Sequence, residues 1–107
     1  MKKYIAVKNP GDYATHICVE LRYNIGGQNC FTYEPIQRGY YLHVTPVKRE
    51  DRDGYIMESF TAFTGTKYCV KPVSRKSAKA EKEAETAAAQ IENTLVKWIC
   101  DKNGLEV

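Results

Sequence analysis

The sequence predicts an α+β fold in which an antiparallel sheet of about four or five strands, arranged as a meander, is packed by one long C-terminal α-helix. Apolar and polar residues alternate with a period of two in several stretches before residue 74, which is typical of half-buried strands. Polar segments that contain glycine separate these stretches and predict hairpin turns. From Ser74 to Asn103 the chain contains neither Pro nor Gly, which favours one uninterrupted helix.

The length of the chain sets the domain organisation that we expect. At 107 residues it has the size of one domain with one hydrophobic core. No internal repeat or low-complexity linker divides it. We therefore predict a single domain over residues 1–107, with the sheet over residues 4–73 and the helix over residues 74–103.

Two stretches assign side chains to the two faces of the sheet. THICVELRY covers residues 15–23 and GYYLHVTPVK covers residues 39–48, and both alternate strictly. In a strand, successive side chains point to opposite faces, so every second residue shares a face. The apolar face then holds Ile17, Val19, Leu21 and Tyr23 of the first stretch and Tyr40, Leu42 and Val44 of the second.

Turn signals place the remaining strands. NIGGQ at residues 24–28 carries a glycine pair that suits a hairpin turn, and CFTYE at residues 30–34 is interpreted as the returning strand. REDRDG at residues 49–54 ends in Asp-Gly, another hairpin signal. YIMESFTAF at residues 55–63 is apolar on both faces, which favours a central strand. TKYCVKPV, ended by Pro72, and an N-terminal edge strand in YIAVK complete the sheet.

The C-terminal helix is predicted to begin at a serine cap, Ser74 or Ser77, and to end at Asn103-Gly104. A helix of about 28 residues measures about 42 Å, whereas a six-residue strand spans about 20 Å. One end of the helix must therefore overhang the sheet, bend or meet another molecule. The core-facing stripe of the C-terminal half consists of Ile91, Leu95, Trp98 and Ile99.

The N-terminal half of the helix offers only alanines on the same side, namely Ala80, Ala84, Ala87 and Ala88. Alanine buries little area, so this half either lies very close to the sheet or projects from it. We expect it to be the exposed end of a helix whose other half is anchored.

Composition narrows the class of protein. Sixteen Lys and Arg against thirteen Asp and Glu give a net charge of +3, which is compatible with nucleic-acid binding without requiring it. No apolar run approaches the roughly 18 residues of a membrane span. The start MKKYIAVKNPGDY lacks the apolar stretch of about 7 to 15 residues that a signal peptide needs. We expect a cytoplasmic protein without membrane contact.

Residues that could carry chemistry are few. The four cysteines lie far apart without a CxxC motif, so we expect free, buried, reduced thiols and no metal. The two histidines, His16 and His43, each sit inside an alternating strand pattern. No nucleophile elbow, zinc-protease, P-loop or dinucleotide-binding motif is present. We expect no enzyme activity, no catalytic residue and no cofactor.

The basic segment that leads into the helix is the first candidate binding surface. Its cations recur every three to four residues and are expected to share one helix face, where they can neutralise phosphates. The interleaved glutamates allow the alternative of an ordinary solvated face. A high tyrosine content adds a second candidate, because tyrosine suits interfaces and base stacking. The predicted partner-binding residues are Lys71, Arg75, Lys76, Lys79, Lys82, Tyr40 and Tyr41.

Two resemblances accompany these patterns. Strands followed by SRKSAKAEKEAETAAA, over residues 40–90, resemble the second half of a double-stranded RNA-binding domain, where a lysine-rich helix start contacts phosphates. In that family a first helix precedes the sheet, whereas residues 13–34 here are predicted strands. GYYLHVTPVKRE followed by MESFTAFTGTKYC resembles small uncharacterised accessory proteins of phages and other mobile elements of gut Firmicutes. This second resemblance implies a non-enzymatic protein that binds host machinery, a class that includes inhibitors of CRISPR nucleases.

We therefore expect a non-catalytic binding protein of a phage or mobile element that docks on a host protein of nucleic-acid defence or processing, such as a CRISPR nuclease. One alternative is direct nucleic-acid binding through the basic start of the helix. Another is a structural protein that forms a homodimer through the overhanging helix.

Overall fold

The structure is a computed structural model that describes residues 1–60 and 65–107. It confirms the α+β class, with an antiparallel sheet of five strands, a second sheet of two short strands and one long C-terminal helix. The strands are β1 (Lys2–Ala6), β2 (His16–Asn24), β3 (Gly27–Gln28), β4 (Pro35–Ile36), β5 (Gly39–Arg52), β6 (Tyr55–Phe60) and β7 (Thr66–Pro72), and the helix is α1 (Ala78–Asn103).

The long strand β5 forms the centre of the main sheet. It pairs with β2 over Gly39–Val47, with β7 over Gly39–Val44 and with β6 over Val47–Arg52. The meander order therefore holds only as far as β6, because β7 returns to pair with β5. In the described part of the chain β6 pairs with β5 alone, so the prediction of a central strand at residues 55–63 is wrong. Residues 61–63 of that prediction lie outside the described residues.

The edge strand predicted near the N-terminus is confirmed as β1, but the strand predicted at residues 30–34 is wrong. The Asn29 side chain accepts hydrogen bonds from the backbone N–H groups of Phe31 and Thr32, at 2.9 and 3.1 Å. This local turn competes with strand pairing. Only Gly27–Gln28 pairs with residues 35–36. The hairpin turn predicted at Asp53-Gly54 is confirmed, because it joins the paired strands β5 and β6 and both residues have positive φ. The hairpin predicted at NIGGQ is wrong, because β2 does not pair with β3, although Gly26 and Gly27 have positive φ.

The helix begins at Ala78, four residues later than predicted, because Ser77 rather than Ser74 forms its cap. The Ser77 hydroxyl accepts a hydrogen bond from the backbone N–H of Ala80 at 3.1 Å. At the other end Gly104 is left-handed, with φ of 68°, and its N–H bonds to the carbonyl of Cys100, as the Asn-Gly signal predicts.

The predicted overhang of the helix does not occur, because the helix lies along a longer sheet than we expected. The 26 residues of α1 measure about 39 Å, and β5 has 14 residues rather than the six assumed for a strand above. Ala80, Ala84 and Ala88 are buried against the sheet. The N-terminal half is therefore packed rather than projecting, and the overhanging end on which the homodimer alternative depended is absent.

The buried stripe of the helix follows a repeat of four residues. It continues from the alanines through Val96 and Cys100, with Ile99 beside it. Each step of four residues turns the stripe by about 40° around the axis, so towards the C-terminus the buried stripe extends to Val96 and Cys100. Of the predicted stripe, Ile99 is buried, and Ile91 and Leu95 are partly buried against the core. Trp98, two residues from both Val96 and Cys100, is 49 % exposed, and its predicted place in the core is wrong. The ammonium group of Lys102 lies 4.8 Å from its ring centroid.

The four cysteines are free thiols, and they differ in burial. Cys18 and Cys100 are buried and Cys69 is half-buried, whereas Cys30 is exposed in the turn after β3, contrary to the prediction that all are buried. Across residues 1–60 and 65–107, no group of His, Cys, Asp and Glu is arranged to hold a metal ion. No helix in the same ranges is both long and apolar enough to cross a membrane.

Candidate functional site

The basic segment, residues 74–82, lies at the surface where the chain leaves the sheet and enters α1. Arg75 and Lys76 stand in the turn before Ser77, and Lys79 and Lys82 stand in the first turns of the helix. The prediction that all four share one helix face is therefore wrong for Arg75 and Lys76. All four are exposed, and within the described ranges none forms a salt bridge.

Lys71, which is also a predicted partner-binding residue, is held by contacts within the fold. Lys71 forms an ion pair with Glu83 of α1 at 2.7 Å. This hydrogen bond lowers the pKa of Glu83. A register shift between Tyr40 and Tyr41 in the pairing of β5 with β7 accompanies the placement of Lys71 towards the helix. Lys71 therefore links β7 to the helix instead of extending a free basic surface.

Tyr40 is buried beneath the helix, packs with Ala80 and Ala84, and donates a hydrogen bond to the carbonyl of Ser77 at 3.3 Å. It cannot contact a partner in this fold, so its prediction as a partner-binding residue is wrong. The alternation had placed Tyr40 on the apolar face, and that face is the one the helix covers. Tyr41 points to the opposite face, where its hydroxyl donates to the carbonyl of Gln37 at 2.7 Å.

The sheet face opposite the helix, here called the open face, holds a cleft of about 380 Å³. Most of its charges are already paired. Glu20 accepts hydrogen bonds from the Arg22 guanidinium, which lower the pKa of that carboxyl, and it also pairs with Lys2 at 3.6 Å. The cleft is lined by Lys2, Cys18, Glu20, Arg22, His43, Thr45, Val47, Glu58, Gly65, Thr66 and Lys67.

A second charged group ties β1 to β6 across the open face. The Tyr4 hydroxyl donates to Glu58 at 2.6 Å, and this hydrogen bond raises the pKa of Tyr4. The Arg49 guanidinium stacks 3.8 Å from the centroid of the Tyr4 ring. The same guanidinium lies 3.9 Å from Glu58. These contacts pair most charges of the open face within the protein, and of the lysines that line the cleft Lys67 forms no salt bridge in the described residues.

His43 supplies a pH-dependent prediction. Burial lowers its pKa from 6.5, and the neighbouring Arg22 and Lys67 lower it further, against a smaller opposing effect of Glu20. As the pH is lowered, His43 therefore takes up a proton at a higher pH in the unfolded chain than in the folded chain. The stabilisation from neutral His43 is fully present above pH 6.5 and is lost as the pH falls below 6.5 towards the folded-state pKa.

Titration of the His43 ring by NMR is expected to give a pKa below 6.5. The unfolding free energy of the His43→Gln variant should fall less steeply than that of the parent as the pH is lowered through this range. A ring pKa above 6.5 would contradict the prediction.

The tip of the β5–β6 hairpin, residues 52–57, is an apolar surface that the sequence interpretation missed. Tyr55, Ile56 and Met57 are 76 %, 64 % and 50 % exposed. The helix packs on β2, β5 and β7 and does not reach β6. The apolar side chains on both faces of residues 55–63 predict a buried central strand. The segment REDRDG, residues 49–54, indicates exposure instead. A hairpin that turns at Asp53-Gly54 pairs residues 55–60 with polar residues of this segment.

The edges of the main sheet differ in a way that singles out β6. The β1 edge carries Lys2 and Lys3, and the β7 edge carries Lys67, Lys71 and Pro72. Lysine and proline on an edge strand oppose pairing with another chain. The sequence of β6, YIMESF, contains neither. Among the edge strands of the described residues, β6 therefore lacks both of these protections.

Comparison with known proteins adds no function to these surfaces, since no family model, curated protein or solved structure matches the chain. The surfaces themselves carry the functional argument.

Proposed function

We propose that the protein is a non-catalytic binding protein and that the hairpin tip docks on another protein. The observation that carries this proposal is the exposure of apolar side chains on both faces of the edge strand β6 at the hairpin tip, with Tyr55 and Met57 on one face and Ile56 on the other. Contiguous exposed apolar side chains mark interaction surfaces in soluble proteins. Tyrosine and methionine are enriched at the centres of protein interfaces.

The charges around the hairpin tip favour a protein partner with a basic rim. Glu50 is paired with Lys48 at 2.9 Å and with Arg52 at 3.0 Å. Asp51 and Asp53 are exposed and form no salt bridge in the described part of the chain. Free carboxylates beside an apolar patch repel a nucleic-acid backbone and attract lysine or arginine. The fitting partner is a protein with an apolar groove bordered by basic side chains.

The sharper form of the proposal is an inhibitor that a phage or another mobile element uses against a host CRISPR nuclease. Its support is the resemblance of GYYLHVTPVKRE and MESFTAFTGTKYC to accessory proteins of such elements. These two sequences supply most of β5 and most of β6, the strands of the hairpin, and the residues between them, 51–56, contain most of its tip. Nucleases of this class hold nucleic acid in a positively charged channel, which provides the basic rim that the hairpin tip requires.

Replacing Tyr55, Ile56 and Met57 together by threonine is expected to abolish partner binding without unfolding the protein. Threonine keeps the strand preference while it removes the large apolar side chains. Loss of the central contacts of an interface costs about 2 kcal/mol or more, or about a 30-fold rise in Kd. The candidate nucleases are those that the parent captures from a host lysate whose nucleic acid has been digested. Each is purified, and calorimetric titration measures its binding to the parent and to the variant.

The matched control is the double variant Tyr68→Thr, Trp98→Thr, which removes exposed aromatic side chains from other parts of the surface. It should bind as the parent does. Equal binding by the parent and by the hairpin variant, with both proteins folded, would refute the proposed docking surface.

A further inference from the structure

A loop with two exposed aromatic side chains stands at the end of the molecule opposite the hairpin tip. This aromatic loop, residues 29–34, connects β3 to β4, and its Phe31 and Tyr33 are 88 % and 72 % exposed. The loop is held by side-chain hydrogen bonds, because Asn29 caps the turn and the Gln28 amide donates to the carbonyl of Tyr33 at 2.8 Å. The rings therefore stand in the solvent on an ordered backbone, where they contribute nothing to the core.

Arg38 connects the aromatic-loop end of the sheet to the basic segment. Its Nε donates to the carbonyl of Ile25 at 2.7 Å, and its Nη1 donates to the carbonyl of Ser74 at 3.2 Å. The backbone N–H of Val73 in turn donates to the carbonyl of Arg38 at 3.2 Å. Exposed aromatic rings and the cations that follow Ser74 are thus fixed to the same end of the sheet.

The cations of the basic segment form no salt bridge in the described residues, like Lys67 of β7 but unlike Lys3, Lys48 and Lys71. Lys3, Lys48 and Lys71 each lie within 3 Å of a carboxylate. Arg75, Lys76, Lys79 and Lys82 form no salt bridge in residues 1–60 and 65–107, and of the nearby glutamates Glu83 is occupied by Lys71. The backbone N–H groups of Ala80 and Glu81 at the start of α1 do not add to this positive surface. The Ser77 hydroxyl accepts the first of them and the Ser77 carbonyl accepts the second.

We propose that the basic segment and the aromatic loop together bind single-stranded nucleic acid. Arg75, Lys76, Lys79 and Lys82 would contact the phosphates of the backbone, and Phe31 and Tyr33 would stack on unpaired bases. Cationic side chains next to exposed aromatic rings are the combination by which proteins hold single strands without reading their sequence. A duplex keeps its bases stacked on one another, so it would engage the cations and leave the rings unused.

The binding is measured by fluorescence anisotropy with labelled oligothymidylate and oligouridylate of about 12 nucleotides and with a duplex of equal length. The parent is expected to prefer the single strands. The affinity should fall with rising salt, with a log–log slope of about −0.7 for each phosphate contact. No binding to single strands, or a preference for duplex, would overturn the proposal.

Two variants separate the parts of the surface. Reversal of Lys76, Lys79 and Lys82 to glutamate should weaken single-strand binding at least tenfold and flatten the salt dependence. The double variant Phe31→Ala, Tyr33→Ala should weaken it at least fivefold, since each stacked base contributes about that factor or more, and should leave the salt slope unchanged. If the lysine reversal weakens binding and the Phe31→Ala, Tyr33→Ala variant does not, the basic segment binds polyanions in general and the proposed role of the aromatic loop is wrong.

The matched control reverses Lys8, Lys97 and Lys102, which are exposed lysines outside the basic segment, and changes the net charge by the same amount. It should bind single strands as the parent does, and an equal loss would show that net charge alone attracts the strand. The threonine variant of the hairpin tip should also bind the oligonucleotides normally, because that surface lies at the other end of β5. If the lysine reversal instead abolishes capture of a protein while the oligonucleotides never bind, the basic segment serves a protein partner and the inference is wrong.

Discussion

Replacing Ile99 with alanine is expected to lower the free energy of unfolding by about 2 to 5 kcal/mol, the usual cost of truncating a fully buried isoleucine. Replacing Trp98, the next residue along the helix, is expected to cost only about 1 kcal/mol or less, as exposed substitutions generally do. Ile99 packs in the main core cluster with Val19, Leu42 and Val44. Trp98 is half exposed and contacts Lys102.

Chemical denaturation followed by circular dichroism measures both variants. Tryptophan fluorescence is unsuitable for the comparison because Trp98 is the single tryptophan of the chain. The reverse order of effects, with Trp98→Ala the more damaging change, would mean that the helix is rotated on the sheet and that the buried stripe described above is wrong.

Much of the fold was predictable because strand alternation and helix periodicity are local properties of the sequence. The alternation in residues 15–23 and 39–48 placed Ile17, Val19, Leu42 and Val44 on one face, and all four are buried under the helix. The stop at Asn103-Gly104 also followed from local chemistry. The rotation of the helical stripe was not predictable in the same way. It depends on which strands lie beneath each turn of α1, and that is set by the return of β7 to β5.

The candidate site was predictable only in part, because exposure is a property of the assembled fold. The sequence identified the free cations Arg75, Lys76, Lys79 and Lys82. It also proposed Tyr40, although the alternation that put Tyr40 on the apolar face already implied its burial. The exposed aromatic rings were missed because residues 30–34 resemble a strand until the competing turn at Asn29 is recognised.

The hairpin tip was missed for a related reason. An apolar strand is buried only if something covers it, and the helix that packs on β2, β5 and β7 does not reach β6. Composition along the strand does not contain that information. The position of the helix on the sheet does.

Replacing Gly39 with alanine is expected to destabilise the protein by about 3 kcal/mol, the upper part of the range for forcing an extra carbon atom into a packed site. Gly39 has a φ of 157°, and a Cβ there would overlap the carbonyl oxygen of Lys71 and lie 2.9 Å from the Cα of Pro72. Both atoms belong to the backbone of the adjacent strand, so relief requires β5 and β7 to separate where their pairing begins.

The consequences of the Gly39 substitution extend from the sheet to the proposed nucleic-acid surface. Separation of β5 from β7 at this point strains the hydrogen bonds of Arg38 to Val73 and Ser74, which hold the basic segment beside the aromatic loop. Gly11→Ala is the matched control, since no atom lies within 4 Å of a Cβ at that position. The backbone amides of β7 should exchange hydrogen faster in Gly39→Ala than in the parent, and at the parent's rate in Gly11→Ala. A Gly39→Ala variant as stable as the parent would mean that the two strands do not approach each other as closely as the structure places them.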